Sequence, residues 1–250
     1  MGYVSDQQGI INRYLREGNG WSLHLENTKR FIVEACEGRG VGSVVVLGSG
    51  WLLDVPYTEL SAHFDKVFLV DIYHPRQIRK KVKKFSNITL VDFDITGGAV
   101  LQAYQAVKSY KRMKQKVHIG EFLLNPDRFG LPADIVPDLV FSVNILNQLD
   151  ILLTDYLRKF QIYTEDELLE LKKIIQTKHV GSLPEGKSCL ITDFEENIYD
   201  ESDALIGTNP LIFAEFPKAQ RVRNWKWDFD SQKTYYKNQK TYFNVLAQEF

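Results

Sequence analysis

The sequence predicts an α/β fold in which helices cover both faces of a doubly wound, mostly parallel seven-stranded sheet. Short apolar runs alternate with helical segments along the chain. These runs consist almost entirely of Val, Ile, Leu and Phe, as in strands that are covered on both faces. At the end of the chain, two strand-like segments follow each other without a helix, which predicts a C-terminal antiparallel hairpin at a sheet edge.

Helical spacing of apolar residues predicts two leading helices, which form an N-terminal helical cap over residues 1–42. The rest of the chain, 43–250, is predicted to form the α/β domain. Its first five strands are expected at 44–47, 67–70, 88–91, 139–143 and 189–192, and the closing hairpin at 225–229 and 241–246. Between the third and fourth strands, an insertion at about 98–137 contains a predicted helix, 99–113, and a loop that is a candidate substrate wall.

Further helices are expected to begin at Pro56, at Pro75 and at a capping box over Thr164–Glu167. The alternation of these helices with the strands is the pattern of right-handed crossovers in a parallel sheet. A single core is therefore expected in the α/β domain.

Length and composition favour one folded domain with additions rather than a disordered chain. The 250 residues are 44% apolar and 25% charged, values typical of soluble globular proteins. The formal net charge of -1 gives no general attraction to nucleic acid or to an anionic membrane. The basic run RKKVKK at 79–84 is interpreted first as a solvated helix face, so we expect neither nucleic acid nor membrane as a partner.

Cysteine usage and the amino terminus indicate the cellular setting. Cys36 and Cys189 match no C-x-x-C spacing, so neither a disulfide framework nor a metal site is expected. The first residues lack the basic start and apolar stretch of an export signal, and no run of about 18 apolar residues suggests a membrane span. These observations predict a reduced, cytoplasmic setting.

The first strand is followed by the turn Gly48-Ser49-Gly50. In an open parallel sheet, ligands bind beyond the carboxyl ends of the strands. Glycine at this place lets the backbone turn sharply and lets a ligand approach the main chain without meeting a Cβ. Strand-to-helix turns also use glycine for geometry alone, so the G-x-G by itself leaves both interpretations open.

Two carboxylates follow the next two strands. Asp71 lies about twenty residues beyond the glycines, where a carboxylate can accept hydrogen bonds from both hydroxyls of a ribose; its alternative role is a cap for the next helix. Asp94 can bind the amino group of adenine while Ile72 and Ile95 sandwich the ring. The alternative for Asp94 is a simple turn over 94–97.

Together these features resemble the class I S-adenosylmethionine-dependent methyltransferases. The resemblance rests on the G-x-G turn, the acids after the second and third strands, the segment DLVFSVNILNQL from Asp138 and the closing hairpin. It covers about Ser43 to the end, and it implies a Rossmann-like methyltransferase domain that uses S-adenosyl-L-methionine. The residues that it implies for the donor are Gly48, Ser49 and Gly50 at the methionine part, Asp71 at the ribose, Asp94 at the adenine, and Ser142 and Asn144 beside the donor.

The sequence departs from the family's pattern at two positions, one on each side of the first glycine turn. Val46 stands where the family often has an acid, and Leu52 stands where a third glycine is expected. S-adenosylmethionine carries no pyrophosphate, so it does not need a helix amino terminus against it, and a longer loop over 51–55 is chemically tolerable. Asp54 in this loop either offers a carboxylate to the donor's ammonium group or caps the helix at Pro56.

Methyl transfer from a sulfonium depends mainly on positioning, and it needs a base only when the acceptor must lose a proton. His24 and His74 are the candidate bases, each with a structural role as its alternative. The aromatic residues Trp21, Tyr73, Trp225 and Trp227 either line an acceptor pocket or pack in the core and the hairpin.

The expected activity is methyl transfer to a small-molecule acceptor, since the sequence indicates neither a basic face for nucleic acid nor a groove for a peptide. The alternatives are a non-catalytic binding or scaffold protein of the same fold and an NAD(P)-dependent oxidoreductase. Leu52 argues against the oxidoreductase, because the dinucleotide fingerprint requires its third glycine close to the helix start.

Overall fold

The computed structural model describes residues 3–123, 130–132 and 134–250. In this part of the chain the α-helices are α1 (Tyr3–Glu17), α2 (Ser22–Cys36), α3 (Tyr57–His63), α4 (Arg76–Val82), α5 (Ala99–Met113), α6 (Gln148–Arg158) and α7 (Glu165–Ser182). The strands are β1 (Ser43–Leu47), β2 (Lys66–Asp71), β3 (Ile88–Asp92), β4 (Leu139–Val143), β5 (Ser188–Tyr199), β6 (Leu205–Pro210), β7 (Arg221–Asp230) and β8 (Lys240–Glu249). Two 3₁₀ helices lie at Gly18–Trp21 and Ile119–Leu123.

The sheet has the order β3-β2-β1-β4-β5-β8-β7, and β6 pairs with β5 beside this path. Strands β1 to β5 run parallel to one another, whereas β6, β7 and β8 are antiparallel to their neighbours. The doubly wound α/β fold is confirmed. Strand order reverses between β1 and β4, so the carboxyl ends of these two strands open the crevice in which ligands bind in such sheets.

Several predicted elements agree with the structure, and the number of strands differs. The fourth strand and the helix α5 have the predicted bounds, and the capping box of Thr164 at the start of α7 is present. The closing hairpin is also present, with β7 at the edge and β8 between β7 and β5. The sheet has eight strands rather than seven, because β5 continues to Tyr199 and its extension pairs with β6. Part of the predicted substrate-wall loop, 124–129 and 133, lies outside the described residues.

Apolar side chains form two cores, one on each face of the sheet, so the expectation of a single core is corrected. On β1, Val45 and Leu47 pack with α5, α6 and α7, whereas Val44 and Val46 pack with α2, α3 and α4. This alternation explains the continuous apolar run of the first strand, since both of its faces are covered.

Cys36 and Cys189 are buried free thiols, and burial raises the pKa of each to about 12. Neither is therefore a thiolate at neutral pH. Among the helices that the structure describes, none combines the length and the apolar character required to cross a bilayer.

Candidate functional site

A cavity of about 570 Å³ opens at the carboxyl ends of the parallel strands. Its wall combines the turns that follow β1 to β4 with side chains of α1, α2, β5, β7 and β8. Of the twelve residues predicted for the site, ten line this cavity: His24, Gly48, Ser49, Gly50, Asp54, Asp71, Ile72, Asp94, Ile95 and Asn144. The other two, His74 and Ser142, do not.

The turn after β1 requires glycine at its first position. Gly48 has φ +83°, and a Cβ there would lie 2.5 Å from the main-chain oxygen of Val143 and 2.9 Å from Cβ of Ile145. The N–H groups of Gly48 and Ser49 both donate to the main-chain oxygen of Val70. The turn is therefore held between the ends of β2 and β4, and a side chain at Gly48 would separate it from β4.

Leu52, at the place of the missing glycine, and its neighbour Trp51 have structural roles. Leu52 has a left-handed backbone, with φ +54°, and its N–H donates to the main-chain oxygen of Ser49 at 2.8 Å. Its side chain is buried among the apolar residues of one core. Trp51 lines the cavity and donates from Nε1 to the main-chain oxygen of Gln7 at 2.7 Å, which ties α1 to the turn.

Asp71 is a buried carboxylate whose two oxygens have different surroundings. Oδ2 accepts a hydrogen bond of 2.9 Å from the N–H of Gly50. Among the described residues, Oδ1 accepts long hydrogen bonds of 3.4 Å from the N–H of Tyr73 and 3.5 Å from Nε2 of Gln7. Burial raises the pKa of Asp71 although the bond from Gly50 acts in the opposite direction. Since α4 has no side-chain cap, the alternative of a helix cap is wrong, and Oδ1 remains receptive to a hydroxyl donor.

Asp94 has the turn role and also lies at the cavity, where its adenine role stays a prediction. Its Oδ1 accepts from the N–H of Thr96 at 3.0 Å and from the hydroxyl of Thr96 at 2.5 Å, so the turn interpretation holds. The residue nevertheless lines the cavity together with Ile72 and Ile95. The turn therefore fixes the carboxylate beside two apolar side chains.

Asp54 is held by Asn144, whose Nδ2 donates to Oδ2 of Asp54 at 2.7 Å. Helix α3 begins without a side-chain cap, so the alternative of a cap from Asp54 is wrong. Burial raises the pKa of Asp54, and the bond from Asn144 acts against this rise. The long loop after Gly50 thus brings a second, half-buried carboxylate to the cavity, next to the end of β4.

His24 lines the cavity but does not have the free nitrogen that a base requires. Nε1 of Trp225 donates to Nδ1 of His24 at 3.1 Å, and because an indole nitrogen only donates, the imidazole proton lies on Nε2. With its proton on Nε2, the ring faces Nδ2 of Asn144 at 3.2 Å, a contact between two donors that is not a hydrogen bond, so Nδ1, which accepts from Trp225, is the paired nitrogen of His24. Burial lowers the pKa of His24 to about 3. The prediction that His24 is a base is therefore corrected: it is a neutral, hydrogen-bonded part of the wall.

His74 lies behind the turn rather than in the cavity. Its Nε2 is 2.9 Å from the hydroxyl oxygen of Ser49, and its Nδ1 is 2.7 Å from Oδ1 of Asp92. Although partial burial acts to raise the pKa of Asp92, hydrogen bonds from His74 and Arg79 hold it below its usual range. The prediction that His74 is a base is also corrected, because both of its nitrogens are occupied and the ring is fully buried.

Hydrogen bonds link Ser49 to His74 and His74 to Asp92, as in the catalytic triad of a serine hydrolase, but the surroundings of Ser49 differ from those of a catalytic serine. Ser49 is only 1% exposed, and the N–H groups of Gly48 and Ser49, which could otherwise stabilise an oxyanion, are occupied by Val70. The three side chains therefore position the turn.

The prediction that Ser142 contacts a cofactor is corrected as well. Ser142 shares a face of β4 with Val140, on the side that α7 covers, and its hydroxyl oxygen lies 2.8 Å from Nε2 of His179. The side chain is fully buried. Because successive residues of a strand point to opposite faces, the cavity is reached instead by Val143 and by Asn144 beyond the strand end.

The aromatic residues divide between the wall and the core. Trp21 and Trp227 line the cavity, and the ring of Trp227 stacks on His24 with centroids 3.9 Å apart and planes 7° from parallel. Tyr73 and Trp225 do not line the cavity.

Sequence reasoning missed one end of the cavity. This end is formed by Asn147, Asp193, Glu196, Tyr235 and Tyr236, and at the opposite side Gln7 of α1 also joins the wall. Asp193 follows directly on the predicted fifth strand, so the rule applied to the first four strand ends would have found it. The tyrosines lie in the connection between β7 and β8, which carries no comparable signal.

Comparisons with known proteins give only distant structural matches. No family model matches the sequence, and no curated protein matches it. The structure is similar to N-methyltransferase NodS from Bradyrhizobium japonicum WM9, with a TM-score of 0.39 and 11% identity over 94% of this chain and 99% of the other. It is also similar to the DhpI-SAM-HEP complex, with a TM-score of 0.40 and 10% identity over 99% and 96%. A third match is an S-adenosylmethionine dependent methyltransferase from Mesorhizobium loti, with a TM-score of 0.37 and 12% identity over 89% and 98%.

Proposed function

We propose that this protein is a methyltransferase that uses S-adenosyl-L-methionine and acts on a small molecule. The observation that carries the proposal is Asp71, a buried carboxylate at the tip of β2 that lines the cavity and is bonded to the glycine turn of β1. Among the described residues, Oδ1 accepts the long hydrogen bonds from Tyr73 and Gln7, so a ribose hydroxyl would offer this buried group a closer donor.

The other residues predicted for the donor suit the adenine and methionine parts of S-adenosylmethionine. Ile72 and Ile95 offer apolar contacts to adenine and Asp94 a carboxylate to its amino group. Asp54 offers a half-buried carboxylate to the ammonium group of the methionine part. When bound, S-adenosylmethionine supplies a methyl group on a sulfonium. The chain's own contribution is to bind and orient the reactants and to exclude water.

The position of α3 favours a donor without phosphates. Dinucleotide sites place the pyrophosphate against the amino terminus of the helix that follows the glycine turn. Here α3 begins at Tyr57, and within the described ranges no residue of α3 lines the cavity. This supports the methyl donor over NAD(P).

The extent of the cavity supports an enzyme over a non-catalytic relative. The cavity continues beyond the proposed donor residues to Asn147, Asp193 and the aromatic side chains of β7 and β8. Its volume lies in the range of ligand pockets, about 300–1,000 Å³. We further propose that residues 43–250 form the catalytic domain and that 1–42 form a cap, since Gln7 and His24 of the cap belong to the wall.

Calorimetric titration with S-adenosylmethionine, S-adenosylhomocysteine and NAD tests the proposal. The wild-type protein is expected to bind the first two ligands, and Asp71→Asn should weaken both by at least about tenfold. The matched control is Asp65→Asn, which changes an exposed aspartate just before the other end of β2 and should leave both affinities unchanged. Binding of NAD, or no binding of either S-adenosylmethionine or S-adenosylhomocysteine, would overturn the proposal.

A further inference from the structure

The second end of the cavity carries its own chemical signature. We call Asn147, Asp193, Glu196, Tyr235 and Tyr236 the acidic end. We propose that the acidic end binds the protonated amino group of an organic amine. That this amine is the methyl acceptor rests on the function proposed above, whereas the amine site itself does not.

A β-bulge brings the two carboxylates of the acidic end to the same side of β5. Asp193 pairs with Val245 of β8 and Glu195 pairs with Asn244, so Phe194 is an extra residue in the ladder. Without it, residues three positions apart on a strand would point to opposite faces. With it, Asp193 and Glu196 both line the cavity. Bulges commonly re-aim side chains beside functional sites.

These two carboxylates are buried and have no cationic partner among the described residues. Asp193 and Glu196 are each 5% exposed, and neither belongs to an ion pair in this part of the chain. Asp193 accepts from Nδ2 of Asn147 at 2.7 Å, and Glu196 accepts from Nδ2 of Asn209 at 2.8 Å. Neutral donors only partly offset the cost of burying two negative charges, whereas a ligand cation would offset it directly.

Asn147 supplies independent evidence of a ligand. The residue is only 4% exposed and lines the cavity, yet within the described ranges its Oδ1 has no hydrogen-bond partner. Oδ1 is an acceptor, like the carboxylate oxygens of the neighbouring Asp193. An ammonium group carries only donors, so it matches all three side chains of the acidic end that accept hydrogen bonds.

The surroundings favour an organic cation over a metal ion. Aromatic rings line the same part of the cavity: Trp227, Phe229, Tyr235, Tyr236 and Phe243. Aromatic faces attract cations and contact the apolar part of an amine. The guanidinium of Arg13 already lies over Phe229 and Tyr235, at 4.8 and 4.9 Å from the ring centroids, so the rings that it does not cover are Trp227, Tyr236 and Phe243. In the described ranges, no group of three or more His, Cys, Asp or Glu residues is placed to hold a metal. Lys172, the sole cationic side chain among the described lining residues, lies 3.7 Å from Asp150 rather than beside the acidic end's carboxylates.

The acidic end is separate from Asp71. From β2 to β5 the sheet order passes through β1 and β4, which is three strand spacings or about 14 Å. A ligand at Asp71 and an amine at Asp193 therefore occupy different parts of one cavity, with the ends of β1 and β4 between them.

The test uses three probes of similar size and different charge: 2-phenylethylamine, 2-phenylethanol and 3-phenylpropanoate. Each is titrated calorimetrically at about pH 8, where the amine is protonated and Asp193 is ionised. Each titration is done without and with saturating S-adenosylhomocysteine. The amine should bind at least about tenfold more tightly than the alcohol, and the carboxylate should not bind detectably. Equal binding of the three probes, or no amine binding under either condition, would overturn the proposal.

Variants locate the site. Asp193→Asn and Glu196→Gln should each weaken binding of 2-phenylethylamine by at least about tenfold. Glu195→Gln is the matched control, because Glu195 is the neighbouring carboxylate on β5 and does not line the cavity. Circular dichroism establishes that each variant is folded. Unchanged amine binding in the double variant Asp193→Asn, Glu196→Gln would contradict the assignment.

The two proposals fail in distinguishable ways. S-adenosylhomocysteine binding without amine binding would leave the proposed function standing and overturn the amine site. Amine binding that depends on Asp193, with no S-adenosylhomocysteine binding, would support the amine site and overturn the methyl-donor site.

Discussion

The main-chain N–H of Gly50 donates a 2.9 Å hydrogen bond to Oδ2 of Asp71. This bond joins the turn after β1 to the tip of β2, the two features on which the proposed donor site depends. It uses Oδ2 of the carboxylate for structure, and the proposed ribose contact would be made by Oδ1. Mutations in the turn therefore test how far its packing and hydrogen bonds determine stability and ligand binding.

Gly48→Ala should destabilise the fold more than Gly98→Ala. Both glycines have positive φ, but a Cβ at Gly98 meets nothing within 4 Å, whereas one at Gly48 meets Val143 and Ile145. The backbone penalty alone costs about 1–2 kcal/mol, and the overlap at Gly48 should bring its total above about 3 kcal/mol. Urea unfolding measures both values, and equal losses would contradict the packing of the turn against β4.

Ser49→Ala should weaken binding of S-adenosylhomocysteine. The variant removes the hydroxyl that pairs with buried His74, with an expected loss of about 1–3 kcal/mol of stability and a looser turn. Ser142→Ala is its matched control, since it removes an equally buried serine–histidine pair away from the cavity. Both variants should lose stability, but only Ser49→Ala should lose affinity in calorimetry. Equal affinities would show that His74 does not position the turn.

Asp193→Asn should stabilise the protein above about pH 6. Burial raises the pKa of Asp193 to about 6, against about 3.9 in an unfolded chain. Ionisation therefore costs the folded state progressively as the pH rises from about 4 to about 6, and the full cost remains above that range. Removing the charge should raise the free energy of unfolding near pH 8 by up to about 3 kcal/mol, and by nothing below about pH 4.

The measurement for Asp193→Asn is the unfolding free energy as a function of pH, with exposed Asp65→Asn as the control. A variant that is more stable and yet does not bind the amine would separate the loss of binding from a loss of fold. Destabilisation of Asp193→Asn at every pH would show that the carboxylate is compensated in the folded protein.

His24 should remain neutral between about pH 5 and 8. Burial lowers its pKa to about 3, so the folded protein resists a proton that the unfolded chain accepts near pH 6.5. Its contribution to stability is therefore present above about pH 6.5 and decreases as the pH falls below that value. Nuclear magnetic resonance of the His24 ring should show no titration in this range, whereas the same signal in denaturant should titrate. A midpoint near 6.5 in the folded state would restore His24 as a candidate base.

The residues of the proposed donor site were predictable because the sequence signals for them are local. An apolar run followed by a polar residue marks a strand end, and parallel strands bring such ends to one edge. Gly48, Asp71 and Asp94 were found in this way, and all three line the cavity.

The errors arose where long-range geometry decides the outcome. Ser142 and Asn144 are two residues apart, but Ser142 points into the core towards His179 while Asn144 lies beyond the strand end. The bulge at Phe194, which aligns Asp193 with Glu196, depends on the pairing of β5 with β8. The sequence of β5 alone cannot reveal that Phe194 is left unpaired in the ladder with β8, because that depends on the register of the other strand.

A crystal structure with S-adenosylhomocysteine tests the central claim most directly. We expect the ribose hydroxyls within hydrogen-bond distance of Asp71, adenine beside Ile72, Asp94 and Ile95, and the acidic end left open. A ligand bound elsewhere, or a ligand in this cavity without contact to Asp71, would contradict the account.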